Sequence, residues 1–177
     1  MSEFSALKKQ ELIRKLEDIE WEDFEVKEAR SEVPTSAWET VSAFSNTTGG
    51  WLVFGVRKQG TTYEITGVNN PGKMEQDFTT VLRNGTKFNK VLEVKSKKYN
   101  FDGRFVLAFY IPQKSAKERP VYFNTPKNTF IRTASGDQRA TQEEIDSFFR
   151  SSSFDAKDKE ATEYRLKDLD STTIERY

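Results

Sequence analysis

Two glutamates and a lysine near the start of the chain are the residues best suited by type and spacing to carry out chemistry. Glu20 and Glu25 lie five positions apart, and Lys27 follows in a segment that alternates polar and apolar side chains. Two carboxylates can hold a divalent cation that acidifies a bound water and clamps a phosphodiester. A lysine beside them can stabilise charge that develops on phosphate oxygens. The alternative is that these side chains form surface salt bridges, with Glu25 and Lys27 on one face of a strand.

The composition excludes several other chemistries. The 177-residue chain contains no cysteine and no histidine, which rules out disulfides, thiol nucleophiles, a Ser-His-Asp triad and zinc sites built from cysteine or histidine. Any metal would have oxygen ligands, which favours Mg²⁺, Mn²⁺ or Ca²⁺. We therefore expect no cofactor unless Glu20 and Glu25 belong to a nuclease, which would use Mg²⁺ or Mn²⁺.

The charged residues are unevenly distributed, although the chain has 28 basic and 28 acidic side chains. Residues 83–133 contain 12 basic and 3 acidic side chains, whereas residues 1–32 contain 6 basic and 10 acidic ones, and residues 137–177 contain 7 and 11. A locally positive segment suits a polyanionic partner. The alternative is a solvated lysine surface that the acidic ends balance.

The predicted phosphate contacts fall into two groups. The first group is Lys95, Lys97, Lys98 and Arg104 on a hairpin, and the second is Arg57, Lys58 and Arg132. Near the hairpin tip, Tyr99 and Phe101 would either stack on unpaired bases or pack across the strands. For Arg132, the alternative to a phosphate contact is a structural bridge to the acidic N-terminal strand.

Hydrophobic periodicity predicts an α+β fold with a mixed, mainly antiparallel sheet and about four helices packed on it. The continuously apolar run at residues 51–54 predicts a central strand. The predicted helices are residues 6–19, one that Pro34 opens and Thr35 or Ser36 helps to cap, residues 73–83, and one opened by a capping box at residues 141–144. The predicted strands are residues 22–28, a hairpin of 51–56 with 62–68, a hairpin of 89–99 with 104–111, and a pair of 120–123 with 129–133.

Composition changes after Arg150, where a polar, charge-dense segment begins. We interpret residues 1–150 as one domain and residues 151–177 as a polar linker or tail, with a weak helix near residues 168–176. The first residues lack the apolar core of a signal peptide, and no apolar run is long enough to span a bilayer. These features predict a cytoplasmic protein without a membrane partner.

Several short motifs occur in order along the chain. They are Glu20, Glu25-Val26-Lys27, Ala43-Phe44, Asn46-Thr47, Gly49-Gly50, Gly55-Val56, Gly67, Phe130-Ile131-Arg132 and Ser135-Gly136. Together, over roughly residues 10–150, they resemble the AlbA_2 family, also called the Schlafen AlbA_2 domain. The resemblance implies that residues 1–150 are a non-enzymatic nucleic-acid-binding domain of a transcriptional regulator, with DNA preferred over RNA. It leaves open a homodimer and a further C-terminal domain in a longer chain.

The resemblance also bears on the nuclease alternative. Some Schlafen-type proteins cleave RNA with three carboxylates, and Glu20 and Glu25 match the first two. The place of the third is taken here by Arg57-Lys58, and two cations would repel a divalent metal. A metal-dependent nuclease is therefore one alternative function. A protein-interaction module that passes a signal within a longer regulator is the other.

Overall fold

A computed structural model describes residues 10, 12–14 and 23–167 of the chain, with residues 155–167 as backbone. The described strands are β1 (Phe24–Lys27), β2 (Gly50–Phe54), β3 (Val56–Gln59), β4 (Thr62–Ile65), β5 (Lys95–Phe101), β6 (Arg104–Ile111), β7 (Phe130–Thr133) and β8 (Gly136–Arg139). The described helices are α1 (Thr35–Asn46), α2 (Pro71–Arg83) and α3 (Gln142–Lys167), with a short 3₁₀ helix at Pro126–Asn128. Residues 10 and 12–14 of the predicted first helix are helical, and the rest of it, like Glu20 and residues 168–176, lies outside the described residues.

Four of the strands form the main sheet, in the order β1-β2-β6-β5. β1 runs parallel to β2, and the other two pairings are antiparallel. β2 is buried along its whole length, as expected of a strand with neighbours on both sides and apolar residues on both faces. The fold is therefore α+β with a mixed, mainly antiparallel sheet, as the sequence predicts.

The two faces of this sheet support separate apolar clusters. On one face, α1 and α2 pack against β2 and β6, and aromatic rings dominate the contact. The Phe78 ring lies 4.5 Å from that of Phe109 and 5.2 Å from that of Phe54, measured between centroids. On the other face, Trp51 and the strand residues beside it share a cluster with Leu12, which is fully buried.

The turn from α1 into β2 depends on a close approach of the backbone. A Cβ atom at Gly50 would lie 2.6 Å from the carbonyl oxygen of Asp23 and 2.8 Å from the Phe44 ring. Only glycine fits there without a shift of either neighbour. This turn places the end of α1 beside β1, where the candidate site lies.

The hairpin predicted from residues 51–56 and 62–68 is wrong in its pairing. Gly55 has a φ of +91° and separates β2 from β3, so the chain leaves the main sheet there. β3 then pairs with β4 as a separate two-stranded hairpin. A backbone conformation with positive φ is one that glycine readily adopts, and a run of apolar residues does not reveal the break that it makes here.

Further details differ from the predictions, and one is that the strand predicted at residues 89–99 begins only at Lys95. The predicted pair of residues 120–123 with 129–133 is reduced to a single bridge between Tyr122 and Thr129, and β7 pairs instead with β8. The helix α1 begins after Pro34 without a side-chain cap, so neither Thr35 nor Ser36 caps it.

The helix α3 continues without a break through Arg150 to Lys167. A domain boundary at residue 150 would therefore lie within a helix and not in a loop, and the division of the chain there stays a prediction. None of the helices in the described part of the chain is long and apolar enough to cross a membrane.

Candidate functional site

Arg132 links three parts of the fold at the edge of the sheet. Its backbone N–H donates to Thr47 Oγ1 at 2.9 Å, which fixes β7 against the end of α1. Its Nη1 donates to Glu25 Oε2 at 3.0 Å and to Asp137 Oδ1 at 2.8 Å, and its Nη2 donates to the carbonyl oxygen of Phe24 at 3.1 Å. Only 9% of its side chain is exposed. The structural bridge from Arg132 to the N-terminal strand therefore forms.

Glu25 is held between two cations. Its Oε1 accepts from Lys27 Nζ at 2.9 Å, while its Oε2 accepts from Arg132. The salt bridge between Glu25 and Lys27 that the sequence allows is thus present, and both carboxylate oxygens already have charged donors. Within the described ranges, no group of three or more Asp, Glu, His or Cys side chains is arranged to hold a metal ion.

The network has clear electrostatic consequences. Burial alone would lower the pKa of Arg132, but the hydrogen bond and charge of Asp137, together with Glu25, outweigh it and leave the pKa raised. Burial raises the pKa of Tyr63, and the nearby Glu25 carboxylate adds to this effect, although Arg132 opposes it. Arg132 is therefore a permanently charged element of the structure.

Arg57 and Lys58 project differently although they are neighbours in β3. Arg57 donates to Glu64 on β4 at 2.6 Å and lies 3.9 Å from Glu28. The hydrogen bond lowers the pKa of Glu64 and raises that of Arg57. Lys58 instead lines a pocket, and none of the described residues forms an ion pair with it.

That pocket is an open cavity of about 760 Å³ beside β1. Its lining includes Glu25 and Lys27 from β1, Glu39 from α1, Lys58 and Tyr63 from the β3–β4 hairpin, and Arg132, Ser135, Gly136 and Asp137 from the β7–β8 hairpin. No short stretch of the sequence contains all of these elements. The structure therefore joins Glu25, Lys27, Lys58 and Arg132, which the sequence singles out in two separate groups.

Sequence reasoning missed Glu39, Tyr63 and Asp137. A signal existed for one of them, because Asp137 directly follows the Ser135-Gly136 motif. Tyr63 carries no such signal, because its position opposite Lys58 depends on the register of the β3–β4 pair. For Asp137, the contacts are with Arg132 and with Thr40, whose Oγ1 donates at 2.5 Å. Glu39 is adjacent to Thr40 on α1, and no local pattern marks it.

The other predicted cations lie on the β5–β6 hairpin. Lys95 and Lys98 are exposed, whereas Lys97 is partly buried and lies 5.5 Å above the ring of Tyr99. Arg104 donates from Nη1 to the carbonyl oxygen of Ile65 at 2.9 Å, so the tip of this hairpin lies against β4. Among the described strands, β5 is an outer strand of the main sheet.

The alternation of β5 decides which side chains share a face. Lys95 and Lys97 point to one side, and Lys98 points to the other. Tyr99 is 5% exposed and belongs to the apolar cluster around Trp51. Cross-strand packing is therefore the correct interpretation of Tyr99, and stacking of a base on its ring is wrong.

The family model for Schlafen AlbA_2 matches residues 20–141, and the chain belongs to this family. A search of curated protein sequences finds no match.

Two solved structures resemble the chain. The N-terminal domain of a RecG-related protein from Nitrosomonas europaea is 24% identical with a TM-score of 0.47, over 65% of this chain and 85% of that one. The DIP2311 protein from Corynebacterium diphtheriae is 21% identical with a TM-score of 0.44, over 65% of this chain and 21% of that one.

Proposed function

We propose that this chain is a non-enzymatic nucleic-acid-binding domain of a transcriptional regulator, with DNA preferred over RNA. The observation that carries the proposal is the concentration of lysines on β5, an outer strand, within a segment of 12 basic and 3 acidic residues. Membership of the Schlafen AlbA_2 family supports it. A homodimer and a further C-terminal domain in a longer chain remain part of this proposal.

The basic hairpin of β5 and β6, defined by Lys95, Lys97, Lys98 and Arg104, is suited to phosphate groups. Phosphate contacts need only cations within reach, and each phosphate neutralised releases counterions and makes the affinity depend on salt. Lys95 and Lys98 lie on opposite sides of one strand, so the hairpin carries cations on both faces of the sheet. This arrangement favours binding without base-specific recognition.

The surroundings of Glu25 are the reason that we propose no catalytic role for it. A divalent cation at Glu25 would have to displace Lys27 and Arg132, which already donate to both carboxylate oxygens. The two residues at the place of a third carboxylate are Arg57 and Lys58. The proposal therefore includes neither Mg²⁺ nor Mn²⁺.

Salt-dependent binding tests the proposal. Fluorescence anisotropy with labelled duplex DNA, single-stranded DNA and RNA should show binding at low salt and a steep loss of affinity as salt rises. The variant Lys95→Ala/Lys97→Ala/Lys98→Ala should bind all sequences more weakly, and its slope of log affinity against log salt should fall by up to about 0.9 per contact for duplex DNA.

A matched variant controls for the change in net charge. Arg14→Ala/Lys73→Ala/Arg150→Ala removes three exposed basic side chains outside residues 83–133 and should retain the slope. An unchanged slope in the folded hairpin variant excludes the basic hairpin as the binding face. No binding at low salt to any of the three probes refutes the proposal and favours a protein-interaction module.

Incubation with structured RNA and single-stranded DNA tests for catalysis. With Mg²⁺ or Mn²⁺ present, we expect no cleavage beyond that seen with Glu25→Gln. Cleavage that the wild type shows and Glu25→Gln lacks would instead favour the metal-dependent nuclease.

A further inference from the structure

The pocket beside β1 has the dimensions of a small-molecule site. Its volume of about 760 Å³ lies within the range of about 300–1,000 Å³ that is typical of ligand pockets. Its walls are the β3–β4 and β7–β8 hairpins and α1. A base that is paired and stacked in a duplex cannot enter a side pocket unless it is flipped out, whereas an unpaired nucleotide can.

Most of the charge in this pocket is internally balanced. Glu25 and Asp137 accept from Lys27 and Arg132, so two carboxylates and two cations satisfy one another. Of the described charged residues in the lining, Lys58 and Glu39 remain without an ion-pair partner. The pocket thus presents one cation and one anion to a ligand.

Lys58 and Tyr63 are directly opposite each other in the antiparallel β3–β4 pair. Side chains in such a pair have Cβ atoms about 4.5–5.5 Å apart, so an amine and an aromatic ring stand side by side at one wall. This pairing matches a nucleotide, whose phosphate takes the amine and whose base stacks on the ring. The carboxylate of Glu39 can accept hydrogen bonds, and a nucleotide can donate them from a sugar hydroxyl or from an exocyclic amine of the base.

The basic hairpin is connected to this wall. Arg104 donates to the carbonyl oxygen of Ile65, which lies two residues after Tyr63 on β4. A strand that contacts Arg104 therefore passes close to the hairpin that carries Lys58 and Tyr63.

We infer that the pocket takes one unpaired nucleotide of a bound strand, with its phosphate at Lys58 and its base against Tyr63. This inference rests on the proposed function, because the basic hairpin holds the rest of the strand. It adds a preference for single-stranded or frayed ends over continuous duplex.

The experiment uses a single-stranded oligonucleotide that contains 2-aminopurine, whose fluorescence reports stacking, and a duplex of the same sequence. Wild type should change the fluorescence of the unpaired 2-aminopurine on binding. Tyr63→Ala should abolish this change and weaken single-strand binding by roughly fivefold or more, with duplex affinity unchanged. Tyr63→Phe keeps the ring and should behave like the wild type. Tyr122→Ala removes a partly buried tyrosine elsewhere and is the control.

Lys58→Ala provides a second test because Lys58 is exposed, so its loss leaves the fold intact. Its salt slope for single strands should fall by up to about 0.7, whereas Lys73→Ala, which removes an exposed lysine outside residues 83–133, should leave the slope unchanged. Single-strand affinity and 2-aminopurine fluorescence that are the same in Lys58→Ala, Tyr63→Ala and their controls overturn the inference. The proposed function would still stand in that case if the triple variant of the basic hairpin loses affinity. If no probe binds to the wild type at low salt, the inference and the proposed function are both refuted.

Discussion

Replacing Arg132 by methionine should destabilise the protein far more than the removal of an exposed charge does. Methionine keeps much of the length of the side chain but removes its hydrogen bonds to Glu25, Asp137 and the carbonyl oxygen of Phe24. Loss of one partner from a buried ion pair typically costs about 3–5 kcal/mol. Asp137 keeps its bond from Thr40, and Glu25 keeps Lys27. We therefore expect the lower end of this range, about 3 kcal/mol.

Urea unfolding measures this loss directly, and thermal unfolding should show a decrease in Tm of roughly 6–12 °C for a chain of this size. Arg83→Met is the matched control, because Arg83 is exposed at the end of α2, and should change stability by less than about 0.5 kcal/mol. Adding Asp137→Asn to Arg132→Met should recover part of the loss, because the uncompensated carboxylate is removed. A loss below about 1 kcal/mol in Arg132→Met would refute the view that the bridge stabilises the fold.

Three further outcomes are expected. Asn46→Ala should lower the free energy of unfolding, measured in urea, by about 3 kcal/mol. The buried side-chain amide of Asn46 accepts a hydrogen bond from Val121 N–H at 2.7 Å and donates to the carbonyl oxygens of Val121 and Phe130 at 2.8 and 3.0 Å. A loss under about 1 kcal/mol contradicts this. The pKa of Tyr63 is raised above 10.0 in the folded protein, so folding favours the neutral phenol. The stability that this neutral side chain contributes is present below pH 10 and disappears as the pH rises through the pKa of the folded state. Tyr63→Phe should accordingly remove a late component from a tyrosinate absorbance titration, and an unchanged curve argues against the burial of Tyr63. Truncation after Arg150 should lower the Tm by only a few degrees, and a larger drop would show that residues 151–177 pack on the body.

The parts of the fold that the sequence predicts correctly depend on local signals. The apolar run at residues 51–54 is a buried central strand because each of its residues has a neighbour on both sides. The capping box also forms as predicted. The backbone N–H of Glu144 donates to Thr141 Oγ1 at 3.2 Å, and that of Thr141 donates to Glu144 Oε2 at 2.8 Å. Interactions within four residues are encoded by spacing alone.

The candidate site depends on contacts between distant segments, which spacing does not encode. Arg132 and Glu25 are 107 residues apart in sequence, and the pocket needs four elements to meet. The sequence identifies Lys58 as a cation but not its position opposite Tyr63, because the break at Gly55 moves β3 into a separate hairpin. The basic segment is visible in the composition, but the division of its lysines between the two sides of β5 requires the strand register.

The lysines of β5 have a consequence for how the protein behaves in concentrated solution. Charged side chains on a strand, lysines in particular, discourage the pairing of that strand with a second copy. Lys95, Lys97 and Lys98 lie on β5, and we expect repulsion between like charges to oppose contact between two copies of the chain at this strand. A polyanion, or substitution of these lysines by alanine, would remove the repulsion. Binding measurements on the triple variant therefore need low protein concentrations, which separate self-association from binding.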